Sequence, residues 1–160
     1  MRRFVAIVAA LLLVLSPARA MDNPGPFALQ LAGADFSIGA AGTQTGTPLT
    51  GLSGINSASF QVCFAWGSAG TQVNVFIRTS LDQGQTWFDI ANIEFTNSSG
   101  CELVNLSTNS VITTPTAPSY LTLANNTTLN GVLGDRLEAV VVSTGAYGGN
   151  SLVSVRGSAR

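Results

Sequence analysis

Gln72-Val73-Asn74-Val75-Phe76-Ile77-Arg78-Thr79-Ser80-Leu81-Asp82-Gln83-Gly84-Gln85-Thr86-Trp87 reads as a strand that runs into a tight turn and out again. Val73, Val75 and Ile77 fall on one face, and Gln72, Asn74, Phe76 and Arg78 on the other. This is the period of two of a half-buried strand. Asp82 can accept hydrogen bonds from backbone amides just ahead of it, and Gly84 can take a positive φ without steric cost. Thr86, Trp87 and Phe88 then resume an extended run. Trp87 is expected to anchor the turn to the core through its large apolar surface. The whole stretch predicts a β-hairpin in an all-β domain.

The pattern repeats outward. Ser59 to Trp66 puts Phe60, Val62, Phe64 and Trp66 on one side, with Gln61, Cys63 and Ala65 on the other. Gly67-Ser68-Ala69-Gly70 reads as a turn, which would make this strand and the one at Val73–Ile77 a hairpin. Further strands are predicted over 87–95, 101–106, 120–123, 136–143 and 152–156. Residues 39–50, 107–118 and 125–131 read as loops. Short strands at this spacing favour an antiparallel β-sandwich, jelly-roll-like in connection. The expected division is a signal-peptide-like segment at 1–20, an N-terminal arm and loop at 21–58, and a β-sandwich domain at 59–160.

Composition excludes much chemistry. The 160 residues contain no histidine, which removes Ser-His-Asp and Cys-His catalysis, histidine zinc sites and histidine pH switches. Charged residues make up 9%, the formal net charge is −1, and every basic side chain is an arginine. With no basic stripe, nucleic acid is not an expected partner.

The first twenty residues have their own signature. Arg2 and Arg3 precede an uninterrupted apolar run from Phe4 to Leu15, and Ala18-Arg19-Ala20 closes it. This is the form of a secretory signal, with cleavage expected after Ala20. As a helix the run would reach only about 18 Å, too short for a hydrocarbon core of about 30 Å, so no stable membrane span is expected. Translation starting at Met21 is the competing reading. Cys63 and Cys101 are the only cysteines. Export would favour a disulfide between them, and a cytosolic chain would leave them as two unpaired apolar residues.

Each candidate site has a plainer role beside it. Asp89 and Glu94 could form an acid–base pair for glycoside cleavage, but the plainer reading has them solvating an outer face while Asp82 caps the turn. Arg136 and Glu138, two apart on a strand, read as an exposed ion pair. Phe76, Phe88 and Tyr147 could form an aromatic sugar platform, with Tyr147, in a glycine-rich loop, as the candidate ligand contact; the plainer reading is ordinary packing against a neighbouring strand or protomer. Neither a metal site nor a cofactor is assigned.

Ser80, Asp82, Gly84, Thr86 and Trp87 match Ser-x-Asp-x-Gly-x-Thr-Trp, which resembles the Asp-box of sialidases and other secreted β proteins. In those families the box is a structural turn. One box in a chain too short for six propeller blades of about 40–50 residues each does not make a sialidase. A longer resemblance runs from Ser59 to Arg160. Its motifs are Phe64–Thr71, Val75–Asp82, Trp87–Ala91, Gly131–Leu137 and Ser143–Gly149, and they are similar to small virion proteins of tailed bacteriophages and prophages. That resemblance implies a non-enzymatic structural or assembly protein, a capsid-decorating or tail-associated virion component that is oligomeric and contacts other virion proteins. A start at Met21 would place it in the virion. The alternative is an exported bacterial domain, periplasmic or extracellular, that binds carbohydrate or a surface.

Overall fold

Alternating burial organises the strands Ser57–Ala65 and Ser151–Ala159 of the computed structural model, which describes residues 25–31, 33–110, 112 and 117–160, while Phe88–Phe95 and Arg136–Thr144 are buried on both faces over most of their length. The signal-peptide-like segment lies outside the described residues. In chain order the strands are β1 (Gly25–Ala28), β2 (Phe36–Ile38), β3 (Gly42–Thr45), β4 (Ser57–Ala65), β5 (Ser68–Ala69) and β6 (Gln72–Ser80). They continue with β7 (Phe88–Phe95), β8 (Gly100–Ser107), β9 (Thr127–Thr128), β10 (Arg136–Thr144), β11 (Tyr147–Gly148) and β12 (Ser151–Ala159). There is no helix among the described residues, and the fold is all-β with antiparallel pairing throughout.

Two sheets face each other. Sheet one runs β1-β12-β4-β8, with β2 also paired to β12, and sheet two runs β3-β10-β6-β7-β9. Phe60, Val62 and Phe64 from β4 and Val73, Val75 and Ile77 from β6 meet in one buried core. The rings of Phe64 and Phe95 bridge the layers with centroids 5.7 Å apart. Each fully buried side chain of this size contributes about 1.5–3 kcal/mol, so the inner faces account for most of the apolar driving force.

This architecture corrects the expected β4–β6 hairpin. Both strands carry strong apolar faces, and those faces look at each other across the core, so β4 and β6 lie in different sheets. Their linker crosses the edge of the sandwich, pinned where β5 pairs with β11. There Gly67 packs so closely on Gly148 and Gly149 that an added Cβ would sit 2.2 Å from a carbonyl oxygen.

Residues 25–45 also depart from the expected arm and loop. β1 and β2 both pair with β12, and β3 pairs with β10, so this segment extends both sheets. These strands have only three or four residues, too few to show a period. Residues 120–123 form no strand; the polar stretch that follows supplies β9 against β7.

Candidate functional site

The turn after β6 is built by two side chains. The Ser80 hydroxyl donates to Asp82 Oδ1 at 2.9 Å and accepts from the Gly84 amide at 2.7 Å. Asp82 Oδ1 accepts from the Thr86 amide at 2.7 Å. Gln83 and Gly84 both take positive φ, 61° and 89°, which is why the loop needs a residue without Cβ strain at its second position. The Thr86 hydroxyl and amide, with lesser help from Ser80 and Gln85, hold the Asp82 carboxyl below its ordinary value. Trp87 does not reach the hydrophobic core. Its ring edge lies over Gly84, beside the Arg136 guanidinium, so it closes the turn on itself. The Ser80 hydroxyl and the Asp82 carboxylate are both spent on groups of the turn itself, which makes it a shape-holding element.

Beside the turn, the outer face of sheet two carries a buried ion cluster. Arg78 on β6 lies opposite Glu138 on β10 and Asp89 on β7. Its Nη1 is 3.1 Å from Glu138 Oε1, and its Nε is 3.6 Å from Asp89 Oδ1. Asp89 is fully buried and Glu138 is 3% exposed. Burial pushes the Glu138 carboxyl above its ordinary value, with Arg78 pulling the other way.

The segment from Ser119 to Leu129 runs along β7 and covers this cluster. The Thr122 and Leu123 amides donate to Asp89 Oδ2 at 3.1 and 3.4 Å, and the Leu129 amide donates to the Ile90 carbonyl at 2.8 Å. Asn92 donates to the Leu123 carbonyl at 2.7 Å, and Asn74 donates to both Asn92 and Asn125.

This cluster overturns two expectations. Asp89 does not solvate an outer face, because the overlying segment shuts it in. Glu138 does not pair with Arg136: Arg78 sits across the strand and takes it, while Arg136 approaches Asp135 at 3.7 Å. Glu94 stays apart from the cluster on a half-exposed site, where its amide donates to Asn126. Arg78, Asn74 and Asn92 were not singled out from the sequence. The only local signal was an arginine on a strand face shared with Phe76, and the partners lie 11 to 60 positions away in the chain.

The aromatic platform does not form. Phe76 is buried. Tyr147 is 7% exposed and packs edge-on against Phe64, with centroids 6.2 Å apart. Gly70 makes room for it: at φ +76°, its backbone lies against the ring, and a Cβ there would fall 2.1 Å from Cε1. Burial raises the Tyr147 phenol above its ordinary value. The candidate ligand contact is thus a core ring sealing one end of the sandwich. Phe88 is half-buried. It lines an apolar hollow of about 180 Å³ with Leu81, Ile90, Leu129 and Val132, and its ring lies 6.3 Å from that of Tyr120.

The outer face of sheet one is different in kind. Cys63 and Cys101, directly opposed on β4 and β8, form a disulfide. Around it stand short or uncharged side chains, including Ser59, Gln61, Ala65 and Ser154. Arg156 is tied to Asp35 at 2.8 Å. Leu103 projects from the edge strand β8 and is 76% exposed.

Among the described residues no group of three or more Cys, Asp or Glu side chains converges on a metal position, and no helix is long and apolar enough to cross a membrane. Comparison with protein-family models, curated proteins and solved structures finds no match for this chain.

Proposed function

We propose that this chain is a non-enzymatic assembly protein, a capsid-decorating or tail-associated component of a phage or prophage virion. The observation that carries the reading is the outer face of sheet one, a surface of mostly uncharged side chains, with Arg156 tied to Asp35, ending in an exposed edge strand at β8. Such a surface suits packing against neighbouring subunits, since it carries few charges to desolvate. The resemblance of residues 59–160 to small virion proteins points the same way. The strand order supports a jelly-roll form of the sandwich: the chain changes sheets between β2 and β3, β3 and β4, β4 and β6, β7 and β8, β8 and β10, and β10 and β12. Mass spectrometry of purified particles tests the reading. A fixed copy number per particle is expected; its absence from particles, with recovery only from an exported fraction, would count against it.

One observation favours a second reading, an exported carbohydrate- or surface-binding domain. The Cys63–Cys101 disulfide suits an oxidising compartment, and the segment preceding Met21 has the form of an export signal. N-terminal sequencing and thiol titration of the natural protein separate the two. Export predicts processing after Ala20 with no free thiol, and glycan-array binding would add the ligand class. A virion component assembled in the cytoplasm begins at Met21 and carries reducible, largely reduced cysteines.

A further inference from the structure

We propose that β8 pairs antiparallel with β8 of a second copy of this chain, about a two-fold axis through Leu103, joining two copies of sheet one into a continuous sheet. The proposal rests on the assembly reading and names its partner.

The direction of the backbone groups along β8 carries the argument. In an antiparallel ladder, closely spaced residue pairs point their amides and carbonyls away from each other, and widely spaced pairs exchange hydrogen bonds. Cys63 and Cys101 have Cα atoms 4.0 Å apart, the close spacing. The amide and carbonyl of Cys101 therefore point away from β4, toward the free edge. By alternation the same holds for Leu103, Asn105 and Ser107.

Ser107 confirms the direction and marks the end of the open stretch. Its amide donates to Asn130 Oδ1 at 3.2 Å, and its carbonyl accepts from the Gly131 amide at 2.9 Å. Among the described residues, Cys101, Leu103 and Asn105 have no partner on that side. The edge also lacks two common protections, because Gly100–Ser107 contains no lysine or proline and pairs with β4 without a register shift.

Only one two-fold register uses all three residues. Centred on Leu103, it sets Leu103 against its own mate and Cys101 against Asn105 in both directions, giving three pairs that each exchange two hydrogen bonds. Centred on Asn105, it would set Leu103 against Ser107, whose edge groups are already bonded. Centred on Cys101, it would leave Asn105 beyond the partner strand.

Charge selects the same arrangement. Parallel in-register stacking would place Glu102 on Glu102, which is unfavourable, whereas the antiparallel register places Glu102 opposite Val104. It also covers Leu103, the most exposed large apolar side chain described, with its symmetry mate.

Sedimentation equilibrium of the purified protein tests this, with Leu103→Lys, Leu103→Glu and an equimolar mixture of the two. The wild type should approach twice its monomer mass as concentration rises. Each variant alone should weaken dimerisation by about tenfold or more, because like charges then face each other across the axis. The mixture should recover the dimer, a result that loss of folding cannot mimic. Hydrogen exchange gives a second measure: the Cys101, Leu103 and Asn105 amides should gain protection with concentration.

A wild type that stays monomeric would overturn the proposal together with self-assembly. A wild type that assembles equally well as Leu103→Lys, or without protection at those three amides, would overturn the β8 edge and leave the assembly reading standing.

Discussion

Arg78 and Glu138 face each other across neighbouring strands, with Arg78 Nη1 3.1 Å from Glu138 Oε1 in a site where Glu138 is only 3% exposed. A pair this buried contributes less than its contact suggests, because both charges give up water to make it. Its members are costly to remove singly. Arg78→Met would leave Asp89 and Glu138 buried without a counter-charge, at an expected cost of about 3–5 kcal/mol in urea unfolding. The loss should depend on pH. Burial already raises the Glu138 carboxyl, so its protonated form favours the fold; that contribution is present below the ordinary value of 4.5 and disappears as pH rises through the raised one. Without Arg78 the group rises further. Arg78→Met should therefore lose more stability at pH 8 than at pH 4, and equal losses at both would refute this account of the cluster.

Asp82 carries the opposite sign. Its carboxyl is held below the ordinary value of 3.8 by Thr86 and its neighbours in the turn. A depressed folded-state value means the unfolded chain takes up the proton first, so the contribution to stability is present above that ordinary value and is lost as pH falls through the folded one. Asp82→Asn keeps an acceptor oxygen but removes the charge. The variant should be less stable than the wild type at pH 6, and the gap should close as pH falls below about 3.8. Thermal unfolding across that range measures it, and a gap that is constant with pH would separate the charge from the turn's stability.

The turn was legible because all its partners lie within eight residues, and Ser-x-Asp-x-Gly-x-Thr-Trp states its hydrogen bonds almost in order. The alternation of β4 and β6 was legible for a similar reason, since each strand displays its own two faces. What sits against those faces was not. Phe64 meets Phe95 and Tyr147, and Arg78 meets Glu138, through contacts that only the topology creates. Asp89 was placed on the right kind of face, but its burial depends on a polar segment some thirty residues further on, which looks in isolation like solvated loop. Tyr147 misled for the converse reason: the glycines around it suggested an exposed tip, whereas Gly70 and Gly148 bring backbone close to the ring and its strand.

Gly134 should be among the least replaceable positions near the turn. Its amide donates to the Thr79 hydroxyl at 2.7 Å, and a Cβ on it would fall 1.7 Å from the Ser80 carbonyl oxygen. That oxygen belongs to backbone held in the β6 ladder, so the clash cannot be relieved by a side-chain rotation. Gly134→Ala should cost about 1–3 kcal/mol or more in chemical denaturation. Gly39→Ala is the control, with nothing within 4 Å of its added Cβ, and should change stability by less than about 0.5 kcal/mol. Similar effects at the two sites would contradict the packing at Gly134.

The Cys63–Cys101 disulfide joins strands that already pair, so the native sheet needs it little; its main effect falls on the unfolded chain. The cysteines are 38 residues apart, and the segment between them contains β6 and β7, the central strands of the opposite sheet. In the chain-entropy picture, closing a loop of that length disfavours the denatured ensemble by about 4 kcal/mol, with engineered and native bridges commonly giving about 2–4. Replacing both cysteines with alanine should lower the free energy of unfolding by that amount. The far-UV circular-dichroism spectrum at neutral pH should stay unchanged, because β4 and β8 keep their hydrogen bonds from Ser57–Ser107 through Phe64–Gly100. Adding reductant to the wild type should reproduce the effect, and reductant should leave the double variant untouched. Loss of the sheet spectrum in the variant would instead assign the bridge a role in holding β8 to the native fold.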